Sequence, residues 1–195
     1  LNPLEFANFE DSEVRWIHTN SKKHFVNLKR IVKQTLASNG IQIENCYLEP
    51  SFYSEKFGIQ GRLDIWHRDP KNNHAAIIEL KSGKPFMPNR FKISHNHYTQ
   101  TLLYDLLTGS VFEESQLKQF PYVLYSGIDE EHLKPAPATK VQQDEALKLR
   151  NQIIQIEQKL CRLDKNLDSI NFIDQLGPNT YPNIKGFTKK DLQLF

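Results

Sequence analysis

A chain of 195 residues, 38% hydrophobic and 25% charged, is long and apolar enough for one well-cored domain with an appendage. No apolar run approaches the roughly 18–20 residues that span a bilayer, so a membrane-spanning helix is excluded. Two cysteines, Cys46 and Cys161, exclude a disulfide framework and a cysteine-only zinc or iron–sulfur site, and the net charge of +2 conceals a segregation of charge along the chain.

The first residue is Leu1, not Met, and the chain is therefore expected to be part of a longer one. Its opening stretch carries Glu5, Glu10, Asp11 and Glu13 and no base, and it has neither the basic nor the apolar region of a signal peptide. Residues 14–43 hold Arg15, Lys22, Lys23, Lys29, Arg30 and Lys33 and no acid, which suits either an anionic partner or a solvated helix face. Phe25, Leu28, Val32 and Leu36 recur on one face and predict a helix over 21–37, stopped by Asn39-Gly40. From Ile41 to Trp66 the pattern turns to β-type residues, with strands predicted at 41–43, at 46–49 and, in period-two alternation, at 57–66. After a turn cluster at 69–73, residues 74–80 form a short, nearly continuous apolar run, as in a strand buried on both faces. A Gly/Pro-containing loop over 82–89 leads to a helix from Ser94 to about Leu107, ended by Thr108-Gly109. Residues 80–104 again hold bases (Lys81, Lys84, Arg90, Lys92) and no acid. A strand at 122–125 and a turn at 135–137 follow. A long helix is then predicted over 144–170, where Leu149, Ile153, Ile156, Leu160, Leu163, Leu167 and Ile170 step by four and three. That stripe packs on its own domain or docks a partner. The tail 171–195 is irregular, and the element order indicates a mixed α/β domain around one sheet.

One constellation carries chemistry. Gly61-x-x-Asp64 is followed fifteen residues on by Glu79-x-Lys81. Glu79 and Lys81 lie two apart on a strand and share a face. Asp64 closes a neighbouring strand after a glycine that permits close approach. Two carboxylates and an ammonium then converge, which is either an ordinary ion pair at a strand end or the minimal protein contribution to a Mg²⁺ site. In the metal reading the lysine orients a water or offsets charge on a phosphate. His97, Gln100 and Tyr104 fall on one face of the next helix, which can lay them over the same point. No P-loop, GxSxG or HExxH motif competes.

The segments GIQGRLD, IIELKSGK and HYTQTLLYDLL together resemble the RecB-like branch of the PD-(D/E)XK nucleases. Within that branch the likeness is strongest to nuclease domains of flap-processing DNA-replication helicase/nucleases. Glu49 to Gly58 matches that group's acidic residue before a KFG-like turn, and PYVLYSG, KPAPA and EALKLRNQI are similar to its later segments, so the resemblance covers about 44–153. It implies a restriction-endonuclease-like α/β core over 1–140, a central mixed sheet flanked by helices. A long helix and tail over 141–195 would pack on the core or lead to a helicase domain. It implies Asp64 and Glu79 as ligands of Mg²⁺ or Mn²⁺, with the Leu80 carbonyl beside them, and Lys81 as the catalytic lysine. Gln100 and Tyr104 would support the lysine or the DNA phosphate. Glu49 and His97 are further candidates, and His18 and His24 are candidates for the group's upstream histidine. Lys84, Arg90 and Lys92 are the expected nucleic-acid contacts. The group's iron–sulfur cluster is expected to be absent, since downstream only Cys161 exists. The expected activity is hydrolysis of single-stranded or flap DNA, inside the cell and next to a helicase domain of the same polypeptide. A non-catalytic DNA-binding or helicase-docking module with the same fold is the alternative.

Overall fold

The structure, a computed structural model, describes residues 9–112 and 117–162. Its first helix, α1 (Asp11–Arg30), opens on a capping box in which Glu10 and Glu13 each accept the other's backbone N–H. Asp11 and Glu13 lie in its first turn and Lys29 and Arg30 in its last, each sign matched to the helix dipole. The acidic opening is thus the helix start, and the predicted 21–37 begins too late. A π turn (Ile31–Thr35) and a last α turn (Leu36–Ser38) continue the helix. The buried face differs in part: Leu28 and Leu36 of the predicted stripe pack in the core, together with Asn27 and Ile31, while Phe25 and Val32 are exposed. The additional residue of the π turn brings Ile31 and Leu36, five apart, onto one face, which 3.6-residue periodicity does not anticipate.

No strand forms at 41–43; a 3₁₀ turn (Ile43–Asn45) begins at its end, and β1 (Cys46–Leu48) follows. The predicted 57–66 strand is two strands, β3 (Ile59–Arg62) and β4 (Ile65–Asp69), and β3 pairs with an unforeseen β2 (Ser51–Ser54). The break at Leu63-Asp64 faces Glu49-Pro50. There the Glu49 N–H donates to the Asp64 carbonyl and the Leu63 N–H to the Pro50 carbonyl, both at 3.0 Å. Glu49 has φ +50 and Pro50 has no N–H to offer, so the ladder bends there and turns Asp64 out of it.

The five-stranded sheet is completed by β5 (His74–Lys81), β6 (Lys118–Tyr125) and β7 (Leu133–Pro135), in the order β1-β4-β5-β6-β7. β5 and β6 are parallel, joined through α2 (His95–Val111), and the other pairs are antiparallel. β6 begins before the predicted 122 and runs through Pro121, whose carbonyl accepts the Ala136 N–H at 2.8 Å. Successive residues of β5 serve opposite faces. Ala76 and Ile78 pack with Ile31, Leu36 and Leu124 on the α1 side, and Ile77 packs with Leu63, Trp66 and Leu107 on the α2 side. Ile77 and Ile78 have no exposed surface, and such a side chain contributes about 1.5–3 kcal/mol. The strand buried on both faces and the central mixed sheet are as predicted. Gly109 does not end α2; a Cβ there would lie 2.9 Å from Gln119 Nε2, so the glycine makes room for that side chain inside the helix.

Thr139 and Gln142 cap α3 (Lys140–Cys161), which starts before the predicted 144. Leu149 and Ile153 of the apolar stripe are exposed; Leu163, Leu167 and Ile170 and the tail lie outside the described residues. The chain divides into two compact units, Leu1–Ala146 and Leu147–Phe195. Among the described residues no helix is long and apolar enough to cross a membrane.

One half-buried carboxyl in α2, Asp105, leads to a prediction. Asp105 accepts a hydrogen bond from Gln143 Nε2 at 2.7 Å, and burial pushes its carboxyl up to about 6 from 3.8. Between those values the folded chain holds the proton and the unfolded chain does not. The stability contribution is therefore full below about pH 4 and is lost as pH rises through about 6. Asp105→Asn keeps an acceptor for Gln143 without the charge. It is expected to stabilise the protein near neutral pH by at most about 2–3 kcal/mol, at ~1.4 kcal/mol per pKa unit, and to change little near pH 4. Urea midpoints at both pH values check this, and an equal shift at both would assign the effect to something other than charge.

Candidate active site

The alternation that sends Ile77 toward α2 also sends Glu79 and Lys81 there, at the end of β5. Glu79 is 4% exposed. Burial is the largest influence on its carboxyl and pushes it up; the Lys81 ammonium opposes this, and the Asp64 carboxyl reinforces it by charge and by hydrogen bonding. Lys81 Nζ donates to Glu79 Oε1 at 2.6 Å and to Gln100 Oε1 at 3.1 Å. Gln100 Nε2 donates to the Tyr104 hydroxyl at 3.1 Å, and that hydroxyl donates to the Arg62 carbonyl at 3.0 Å. Both ends of the Gln100 amide are engaged, so it presents its oxygen to the lysine. Asp64, released from the ladder by the bend, accepts the Leu80 N–H on Oδ2 at 2.7 Å. Gly61 lets Tyr104 in: a Cβ there would lie 2.9 Å from Tyr104 Cε1.

Asp64, Glu79, Lys81, Gln100 and Tyr104 thus form one connected group, with the Leu80 backbone between the two carboxylates. The other candidates lie around it. His97 turns to Tyr125, its Nδ1 2.8 Å from the hydroxyl, and burial and then the Lys81 charge hold its pKa down. His24, on α1, places Nδ1 3.0 Å from Ser126 Oγ, and the Ser126 N–H donates to the Lys81 carbonyl at 2.9 Å. Glu49 forms an exposed ion pair with Arg62 at 3.4 Å. Arg90 lies over the Phe91 ring, 4.7 Å from its centroid. Lys92 is not unpaired: it and Lys134 each donate to Glu131 Oε2 at 2.7 Å and hold that carboxyl down to about 2. The acid-free stretch of sequence finds its acid across the fold.

Ser126 and Gly127, which end the PYVLYSG segment, and Asn27, which no motif marks, fix the exit of β5. Asn27 Nδ2 donates to the Ser126 carbonyl at 2.8 Å, and a Cβ on Gly127 would lie 2.4 Å from the Ser82 carbonyl. Only the glycine at the end of a strand was available as a signal.

The two carboxyl groups lie close enough to favour positive charge beside them, and the Lys81 ammonium at Glu79 supplies one such charge. Among the described residues no three His, Cys, Asp or Glu side chains gather as a metal-binding group. Two hard carboxylates and a nearby backbone carbonyl fit a Mg²⁺-type ion that draws its remaining ligands from water or substrate.

No protein-family model matches the chain. It is 31% identical over 115 residues to the DNA replication ATP-dependent helicase/nuclease DNA2 of Mus musculus, covering 56% of this chain and 10% of that protein. The DNA2 of Homo sapiens is 31% identical over 112 residues, covering 54% of this chain and 10% of that protein. The chain thus spans about a tenth of the length of these curated relatives. The crystal structure of SSO0001 overlays 66% of this chain and 59% of its own, with a TM-score of 0.36 and 18% identity. Over a little more than half of its length, then, this mixed α/β chain is similar in sequence to the DNA2 helicase/nucleases.

Proposed function

We propose that the chain is a divalent-metal-dependent nuclease domain of the PD-(D/E)XK type, hydrolysing phosphodiester bonds in single-stranded or flap DNA, and a portion of a larger helicase–nuclease. The observation that carries this reading is the convergence of Asp64, Glu79, Lys81 and Gln100 at the end of one buried strand. In this reading 1–140 would form the nuclease core, and 141–195 would pack on it or lead toward a helicase domain. With two cysteines in the chain, no iron–sulfur cluster is part of the proposal.

Asp64, Glu79 and the Leu80 carbonyl would hold the ion. Bound Mg²⁺ or Mn²⁺ would supply positive charge at the scissile phosphate and acidify a water. Lys81, steadied by Glu79 and Gln100, holds an ammonium where negative charge develops on the phosphate. Tyr104 fixes Gln100 from the backbone of β3.

The test is incubation of the 195-residue chain with an end-labelled single strand and a flap substrate in Mg²⁺, Mn²⁺ or EDTA. Cleavage is expected with either metal and not with EDTA. Tight DNA binding without cleavage in either metal would replace this reading with the binding-module alternative.

The basic track gives a second prediction. Lys84 and Arg90 form no ion pair among the described residues, whereas Lys92 is held by Glu131. Replacing Lys84 and Arg90 by Ala is expected to flatten the salt dependence of single-strand binding by about 0.7 per lost phosphate contact, and Lys92→Ala by less. Titrations at several salt concentrations measure the slope, and an unchanged slope would place both bases away from the DNA.

A further inference from the structure

The loop after Lys81 carries two large apolar side chains in solvent: Phe86 is 75% exposed and Met87 60%. The loop is anchored. The Phe86 N–H donates to Ser94 Oγ at 2.7 Å, the Ser94 N–H donates to the Tyr125 hydroxyl at 3.2 Å, and that hydroxyl lies 2.8 Å from His97 Nδ1. Met87 has φ +42, so the backbone at the tip is held in a left-handed turn. Ser94 is the cap of the helix that carries Gln100 to Lys81, so this loop is built off the same frame as the candidate site. Lys84 and Arg90 flank the pair, and 80–104 contains no acid.

We infer that Phe86, with Met87 beside it, is a stacking platform for an unpaired base of a single strand entering this site, and that it makes the site discriminate single strands from duplex. The inference rests on the nuclease reading above. An exposed ring flanked in sequence by two cations that form no ion pair among the described residues is the composition of a single-strand contact: the cations take phosphates, and the ring takes the face of a base that a duplex keeps stacked. An acidic or mainly apolar protein partner accounts for only one of these two features.

The experiment is a binding titration of the chain in EDTA with a labelled single strand, a duplex of the same length, and a single strand carrying abasic sites. Phe86→Ala is compared with Phe86→Trp, which keeps a π face. Phe86→Ala is expected to weaken single-strand binding about ten- to a hundred-fold, as removal of one base–aromatic stack does. It should leave the duplex and the abasic strand unchanged, and Phe86→Trp should bind the single strand like wild type. Equal single-strand affinity of wild type and Phe86→Ala overturns the stacking role alone and leaves the pair as a protein-docking patch. Equal losses on single strand, duplex and abasic strand overturn it as well, since a stack cannot act without bases. Wild type that binds no nucleic acid overturns the nuclease reading together with this inference.

Discussion

Asp64→Asn and Glu79→Gln are each expected to lower metal-dependent cleavage by several orders of magnitude while leaving the fold intact. Both substitutions keep an oxygen where the structure uses one: Asn retains an acceptor for the Leu80 N–H, and Gln retains one for Lys81 Nζ. What each removes is a charge, from a site where, in the proposed reading, two carboxylates would be the protein's main hold on a dication. DNA affinity in EDTA should hold or rise, because a negative charge beside phosphate is lost. Lys81→Ala is expected to cost less, about a hundred- to a thousand-fold in rate, by analogy with the ~2.7–4 kcal/mol for loss of one donor to a developing oxyanion. Gel-based cleavage rates beside EDTA titrations and thermal melts separate the three effects. A Glu79→Gln variant that melts and cuts like wild type would place the active site elsewhere.

Gly127→Ala is expected to destabilise the whole domain, by about 1–3 kcal/mol, and to slow cleavage further than that loss alone explains. The new methyl would lie 2.4 Å from the Ser82 carbonyl, 3.2 Å from the Gly83 carbonyl and 3.3 Å from His24 Cε1. The two carbonyls are backbone, so the strain cannot be relieved by turning a side chain. Either β6 retreats, losing the Ser126 N–H to Lys81 carbonyl bond, or the Ser82–Gly83 turn shifts and carries the end of β5 with it. Both displace Lys81. Urea midpoints measure the first effect, and cleavage rates under conditions where the variant is fully folded measure the second. Wild-type stability and rate would show that the contact relaxes without cost.

The local geometry of the candidate site was legible in the sequence because it depends on short-range rules. Glu79 and Lys81 share a face because a strand repeats every two residues. Gln100 and Tyr104 share one because a helix returns after four. The apolar run 74–80 announced a strand buried on both sides, and the five-stranded sheet places it in the middle. Long-range pairing was not legible. Nothing in the alternation of 57–66 shows that the ladder breaks at Asp64; the break comes from Glu49-Pro50 on the facing strand, and it is what aims Asp64 at Leu80. The apolar stripe of α1 marked the core face only in part: Leu28 and Leu36 pack there, but Asn27 is drawn in by the Ser126 and Ile128 carbonyls while Phe25 is exposed, and a π turn after Arg30 advances the phase by one residue and leaves Val32 exposed. The run of bases over 80–104 read as a continuous cationic track, yet Lys92 is neutralised by Glu131, 39 positions away. Local periodicity thus determined which residues lie on one face, since backbone geometry repeats identically everywhere. Which faces and charges meet was decided only by tertiary structure, since chain closure joins residues whose separation in sequence carries no periodic signal.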